Sequence, residues 1–414
     1  MDNKQFGRDF TLVVIGQIIS LLGSAMLRFA LNLYVLDLTG RADVFGAVIA
    51  ISSIPAIVFS PIGGAIADRF NRRNLMVIFD FSSCTIIIIT IILMGIIDVP
   101  VMAIGFIMAV LAIIGSMYQP AVQASVPTLV HEDRLAAANG IVNGVGALSG
   151  LLGPVLGGIL YGIIGLKTLI IISGIAFFLS AIMEIFIRIP FTKRITEKHI
   201  IAAILQDTRD GFHYIARDNP FILKISSLAA SLNLFFTPLF IIGTPYILRV
   251  IMKSNDIMYG IGLGLLQFST IVGALLVGPF SKKLRASNIY FPFIVIALLF
   301  LPMALAVSPA FSGFGFWPSF ILFFVVSVIV LVLSMIVSIF IITDIQKVTP
   351  NEMMGKVMAI IMTISQIASP LGQILFGFML QAAGKMVYVP VLLTSLFTLF
   401  IAFGAKRLLS DENN

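Results

Sequence analysis

Three carboxylates, Asp37, Asp80 and Glu184, sit within or at the ends of long apolar runs, and one guanidinium, Arg28, lies inside such a run. A carboxyl group withdrawn from bulk water can carry a proton near neutral pH once burial has shifted its affinity. These three are therefore candidates for ion coupling, although pairing at the ends of the runs is the default for Asp80, Glu184 and Asp344. A guanidinium at the centre of an apolar helix costs at least about 2.5–3.5 kcal/mol, so Arg28 requires a partner or a wet cavity. Gln17, Ser24 and Arg28 share one helical face at spacings of seven and four, and Asn32 follows four residues later. This stripe is a candidate cavity lining. Asp37 stands nine residues beyond Arg28 and faces the opposite way, which excludes a simple pair within the helix. Further polar positions, Gln119 and Gln123 beside Tyr118, Asn233 with Thr237 and Thr244, and Ser327 with Ser334 and Ser338, suit a cavity wall or a hydrogen-bonded seam between helices equally well. The 35 Phe and 18 Met residues face lipid or pack helices, and a subset lining a cavity would suit a bulky lipophilic substrate.

Other chemistries find no support in the residues. There is no G-x4-G-K-[S/T] phosphate loop, no H-E-x-x-H metal helix and no G-x-S-x-G nucleophile turn, so neither an ATP motor nor an enzyme is expected. Cys84 is the single cysteine, and His131, His199 and His213 fall in polar connections; no metal or cofactor site is expected. The net charge of +7 resides in short loops between apolar runs, where it sets topology and does not form a nucleic-acid stripe.

The elements that carry these residues follow from composition. With 59% apolar residues, 11% charged residues and a mean hydropathy of +1.10, the 414-residue chain is too apolar for a soluble core. The runs are continuous and not alternating, which predicts transmembrane helices and not a barrel. Twelve spans are predicted, near 10–36, 44–67, 75–97, 101–125, 140–163, 168–189, 221–248, 257–280, 289–308, 317–342, 356–383 and 386–405. The first run is too long for a signal peptide and is read as a span. An N-terminal bundle (1–189), a linker (190–220) and a C-terminal bundle (221–414) are expected, and Leu205, Phe212 and Ile215 predict an amphipathic surface helix in the linker. With the N-terminus inside, twenty Lys and Arg residues fall on the cytoplasmic side, against Arg41, Lys167, Arg249, Lys253 and Lys385 outside. That bias places both termini in the cytoplasm and the chain in the plasma membrane. Gly64 and Gly278 each open a basic turn, 214 residues apart, as expected of two homologous six-span halves.

Residues 64–73, Gly64-Ala-Ile-Ala-Asp68-Arg69-Phe-Asn71-Arg72-Arg73, resemble the signature loop of the major facilitator superfamily, with Asn71 where the family has Gly. The turn is expected to persist, because Asn tolerates left-handed backbone. In the family this loop is a conformational latch, a role the resemblance gives to Gly64, Asp68, Arg69, Arg72 and Arg73. Gly140, Ser149, Gly153, Pro154, Gly157 and Gly158 resemble the antiporter motif of drug exporters, with Ser149 in place of one Gly. Leu33–Gly40, Val126–Val130, Ala138–Gly140 and Asp210–Phe212 are similar to the macrolide-efflux and enterobactin-exporter branch. The resemblance implies an all-α fold of two pseudo-symmetric six-helix bundles. It further implies a secondary exporter of amphiphilic small molecules such as macrolide-like drugs, with protons as coupling ion. A siderophore or endogenous metabolite is the alternative cargo, and a non-transporting sensor or assembly factor the alternative class. Two features of the branch are absent: span four has no Arg between Met102 and Ser125, and Ser83 replaces an Arg three residues after Asp80.

Overall fold

A computed structural model describes residues 6–97, 99–189, 212–218, 220–281 and 288–410. Twelve long helices account for nearly all of them: α1 (Arg8–Thr39), α2 (Ala42–Arg69), α3 (Arg72–Ile96), α4 (Val101–Leu129), α5 and α6 within Leu135–Ile185, α7 (Pro220–Ile251), α8 (Asp256–Ser281), α9 (Tyr290–Ala306), α10 (Phe316–Val348), α11 (Asn351–Ala383) and α12 (Tyr388–Ser410). Among the described residues, ten apolar stretches are long enough to cross a membrane. One of these, Glu132–Ile185, is two spans, because the backbone breaks at Gly165 with φ 74°. That left-handed conformation needs a residue without Cβ. The 17-residue α9 completes the set; at about 25 Å it still nearly matches the hydrocarbon thickness.

The sequence explains the helix ends. Asn71 caps α3 by accepting the Arg73 N–H at 3.1 Å, in extended geometry with φ −62°. The left-handed turn expected there is not adopted: Asn is a strong N-cap, and capping satisfies an otherwise orphaned donor. Pro100 and Pro350 precede α4 and α11, and Gly384 ends α11 with φ 55°. Within α7, Pro238 and Pro245 interrupt the regular ladder, and Thr244 N–H reaches back to Leu239 O across a π-turn. Most of the linker, residues 190–211, lies outside the described residues, so the surface helix expected there is only partly covered, by a helical stretch at 212–218.

The chain forms two compact units. One gathers Met1–Leu38, Ile51–Glu197 and Asn255–Gly264; the other gathers Thr39–Ala50, Lys198–Ser254 and Leu265–Asn414. Each unit thus takes one short helical segment from the other half of the sequence. A core of the first packs Phe10, Leu75, Met76, Tyr118, Val122 and Val142 from α1, α3, α4 and α5. In the second, Phe236 meets Phe240 and Phe300, and Phe235 stacks on Phe397 at 4.3 Å. Ile78, Ile88, Ile92, Phe106, Ile175, Leu275, Phe378 and Phe400 are exposed. Apolar surface on that scale suits lipid, not water.

Candidate functional site

In the first unit α1 is edged with small residues where α6 crosses it. A Cβ added at Gly16 would lie 3.4 Å from Ser180 Oγ and 3.5 Å from Glu184 Cγ, and one at Gly23 would lie 2.9 Å from Ala176 Cβ. This close approach brings Asp80 of α3 and Glu184 of α6 into one polar cluster with α1 and α4. Ser20 donates to Asp80 Oδ1 at 2.8 Å, Ser180 donates to Gly16 O at 2.9 Å, and the Tyr118 hydroxyl donates to Glu184 Oε1 at 2.7 Å. Gln17 Nε2 donates to Gln119 Oε1 at 3.3 Å and reaches Val142 O at 3.4 Å.

Both carboxyls are almost inaccessible, Asp80 at 2% and Glu184 at 0% exposure, so the surface pairing expected of them by default is replaced by burial. Asp80 Oδ2, Glu184 Oε2 and Gln17 Oε1 have no hydrogen-bond partner among the described residues. No Lys, Arg or His among the described residues forms an ion pair with either carboxyl, and the two repel each other when both are ionised. Burying charge without a counter-ion is costly, and taking up a proton removes that cost. Asp344 follows the expected surface pattern, pairing with Lys347 at 3.7 Å.

The signature loop is tied to this cluster through the same two helices. Arg73, in the first turn of α3, donates to the carbonyl of Ile185, the neighbour of Glu184 on α6. A cation at a helix C-terminus is favoured by the unpaired carbonyls there. Arg72 Nε donates to Ala67 O at 3.2 Å, closing the loop onto the end of α2. Gly64 has open space around it, and Arg69 engages other residues of the protein.

The antiporter-like motif is a packing surface. A Cβ at Gly153 would overlap Ala25 of α1, and one at Gly157 would stand 2.9 Å from the Phe29 ring. One residue further round, a Cβ at Gly158 would stand 2.8 Å from Gly260 Cα and 2.7 Å from Asp256 O, so α5 and the start of α8 touch backbone to backbone. Ser149 is buried, whereas Gly140 has nothing within 4 Å. The second unit contains a related crossing: a Cβ at Gly46 of α2 would lie 2.6 Å from Gln373 O of α11, and one at Gly377 would lie 2.7 Å from Ala42 O. Gly46 and Gly260 are 214 residues apart, and Gly158 and Gln373 are 215 apart, so the two crossings repeat the internal symmetry of the sequence.

The remaining polar candidates are dispersed. Gln17 joins Gln119 in the buried seam, while Ser24 and Asn32 are half-buried on α1 and Arg28 is exposed. Gln123 is exposed on α4, Thr237 is half-buried, and Asn233 donates to its own helix at Ala229 O, 3.1 Å away. Asp37 is exposed beside Tyr161, whose hydroxyl lies 3.4 Å from its Oδ2, and does not join Asp80 and Glu184. Sequence reasoning did not single out Ser20 or Ser180. The available signal was the small stripe Gly16-Ser20-Gly23 on α1 facing Ser173, Ala176 and Ser180 on α6 at matching helical spacing.

Similarity to known proteins agrees with this architecture. Among curated relatives, macrolide efflux protein A of Streptococcus pyogenes is 26% identical over 181 residues, 44% of this chain and 45% of that protein. Multi-drug resistance efflux pump PmrA of Streptococcus pneumoniae is 29% identical over 157 residues, 37% of this chain and 38% of the pump. The matched stretch therefore spans less than half the length of these relatives. The solved structure of the nucleoside transporter NupG superposes with a TM-score of 0.72 over 97% of this chain and 99% of that one, at 12% identity, which shows a shared fold. Residues 13–373 match the sequence model of the Major Facilitator Superfamily, and the chain belongs to that family of membrane transporters.

Proposed function

We propose that this protein is a proton-coupled exporter of amphiphilic small molecules that works by alternating access. The observation that carries the reading is the pair of buried carboxyls, Asp80 and Glu184, with oxygens left unpartnered and, among the described residues, no ion-paired cation. Such a pair stores a proton in one state and releases it when the surroundings open to water. Its helices also carry the signature loop: α3 holds both Arg73 and Asp80, and α6 holds both Ile185 and Glu184. Protonation at the pair therefore acts on the same α3–α6 contact that seats the loop, which links proton uptake to the latch assigned to Gly64, Asp68, Arg69, Arg72 and Arg73. The glycine crossings α5–α8 and α2–α11 serve as places where helices slide as access alternates, since a contact without side chains needs little repacking to shift.

The efflux names of the relatives support export and a drug-like cargo, and the twenty-to-five bias in Lys and Arg supports cytoplasmic termini in a plasma membrane. The test is flux in proteoliposomes. An imposed pH gradient is expected to drive amphiphile accumulation, and a protonophore is expected to abolish it. Accumulation that survives collapse of the gradient would remove proton coupling, and absence of protein-dependent flux across a broad panel would favour a sensor or assembly factor.

A further inference from the structure

We propose that Arg28 receives an anionic group, a carboxylate or phosphate, on the compound that the protein exports; the inference rests on the exporter reading above and specifies its substrate class. Arg28 lies on α1 between the buried residues Leu27 and Phe29. It is about 7 Å along the helix from the middle of the first apolar run, well inside the hydrocarbon thickness. Its side chain is exposed. Facing hydrocarbon at this depth is disfavoured for a guanidinium, so Arg28 requires a polar ligand or a wet path beside it.

No acceptor among the described residues hydrogen-bonds or ion-pairs with this guanidinium. Other arginines are engaged: Arg41 grips Asp43 at 2.6 Å, Arg72 closes on Ala67 O, and Arg73 on Ile185 O. One turn further along the same face, Asn32 Oδ1 is also buried without a partner. A planar fork of five N–H donors and an unused amide oxygen thus lie one helical turn apart on one face of α1. The fork matches a carboxylate or phosphate bidentately, and the amide oxygen accepts from a neighbouring hydroxyl or N–H of the same ligand. An ammonium head at that position would meet like charge, so among amphiphiles of equal apolar size the site selects acids over amines.

The experiment uses the purified full chain and three probes with one apolar body: naphthylacetate, its primary amide, and naphthylmethylamine. Wild-type protein is expected to bind the carboxylate about tenfold or more tightly than the other two, the loss expected when a hydrogen bond to a charged group is absent. Arg28→Gln is expected to erase that preference, and Arg28→Lys to retain part of it, since charge remains while the fork is lost. Equal or tighter binding of the amine or amide to wild type would overturn the proposal, as would a preference for the carboxylate that Arg28→Gln leaves intact. If the Gln variant does not fold, the wild-type ranking alone decides. Failure of the exporter reading looks different: anion preference would persist in binding while proteoliposomes loaded with naphthylacetate showed no protein-dependent efflux.

Discussion

Tyr118 on α4 donates its phenolic hydrogen to Glu184 on α6 at 2.7 Å, and this bond closes a chain of polar contacts that runs from α4 through α6 and α1 to Asp80 on α3. The cluster fastens four helices of the first unit at one level, with two carboxyls at its centre. Removing the donor isolates its contribution. Tyr118→Phe leaves Glu184 Oε1 without that partner in an apolar setting and is expected to lower stability by about 1–3 kcal/mol, the usual penalty for an orphaned buried polar group. Thermal unfolding in detergent checks this, and an unchanged melting temperature would mean that the bond contributes nothing.

Two glycines of one motif separate packing from mere composition. Gly158→Val must push α5 from Gly260, so a loss of about 1–3 kcal/mol and of transport is expected. Gly140→Ala has open space and is expected to be neutral or to gain up to about 1 kcal/mol from helix propensity. Melting temperatures and flux of the two variants, measured side by side, read this contrast; equal sensitivity would contradict it.

At Asn71 the residue itself is the test. Asn71→Ala removes the cap of α3 and is expected to cost about 0.5–2 kcal/mol, whereas Asn71→Gly is expected to cost only a few tenths. Denaturation midpoints of the two variants should rank in that order, and the reverse ranking would deny the capping role.

Within the signature loop, Asp68→Asn is expected to reduce transport while leaving expression and melting temperature intact, because a latch biases conformations and does not hold the fold. Unchanged flux in this variant would count against the latch.

The fold was largely legible because apolar runs of span length can do little else in a bilayer. Even the break between α5 and α6 coincides with a glycine and falls between two predicted spans. Asn71 shows a limit of reading by resemblance: matched to a glycine, it implied a left-handed turn, yet the local chemistry of Asn at a helix start prevailed. The candidate site was legible only as scattered letters. Asp80 and Glu184 were both visible as carboxylates in apolar surroundings, but more than a hundred residues separate them, and nothing local places them together. Their meeting depends on Gly16 and Gly23, small residues whose value lies entirely in what they let approach. Gln17 shared a helical stripe with Arg28 and was grouped with it, but the structure places it against Gln119 while Arg28 is exposed. Helical periodicity assigns a face and says nothing of what covers that face at each level.

The most direct measurement is pH-gradient-driven flux in proteoliposomes for wild type, Asp80→Asn and Glu184→Gln, each paired with downhill exchange of the same compound in the absence of a gradient. Loss of the response to the gradient in both variants, with downhill exchange retained, is the result predicted for a proton-carrying pair. A gradient response in both variants equal to that of wild type would contradict it.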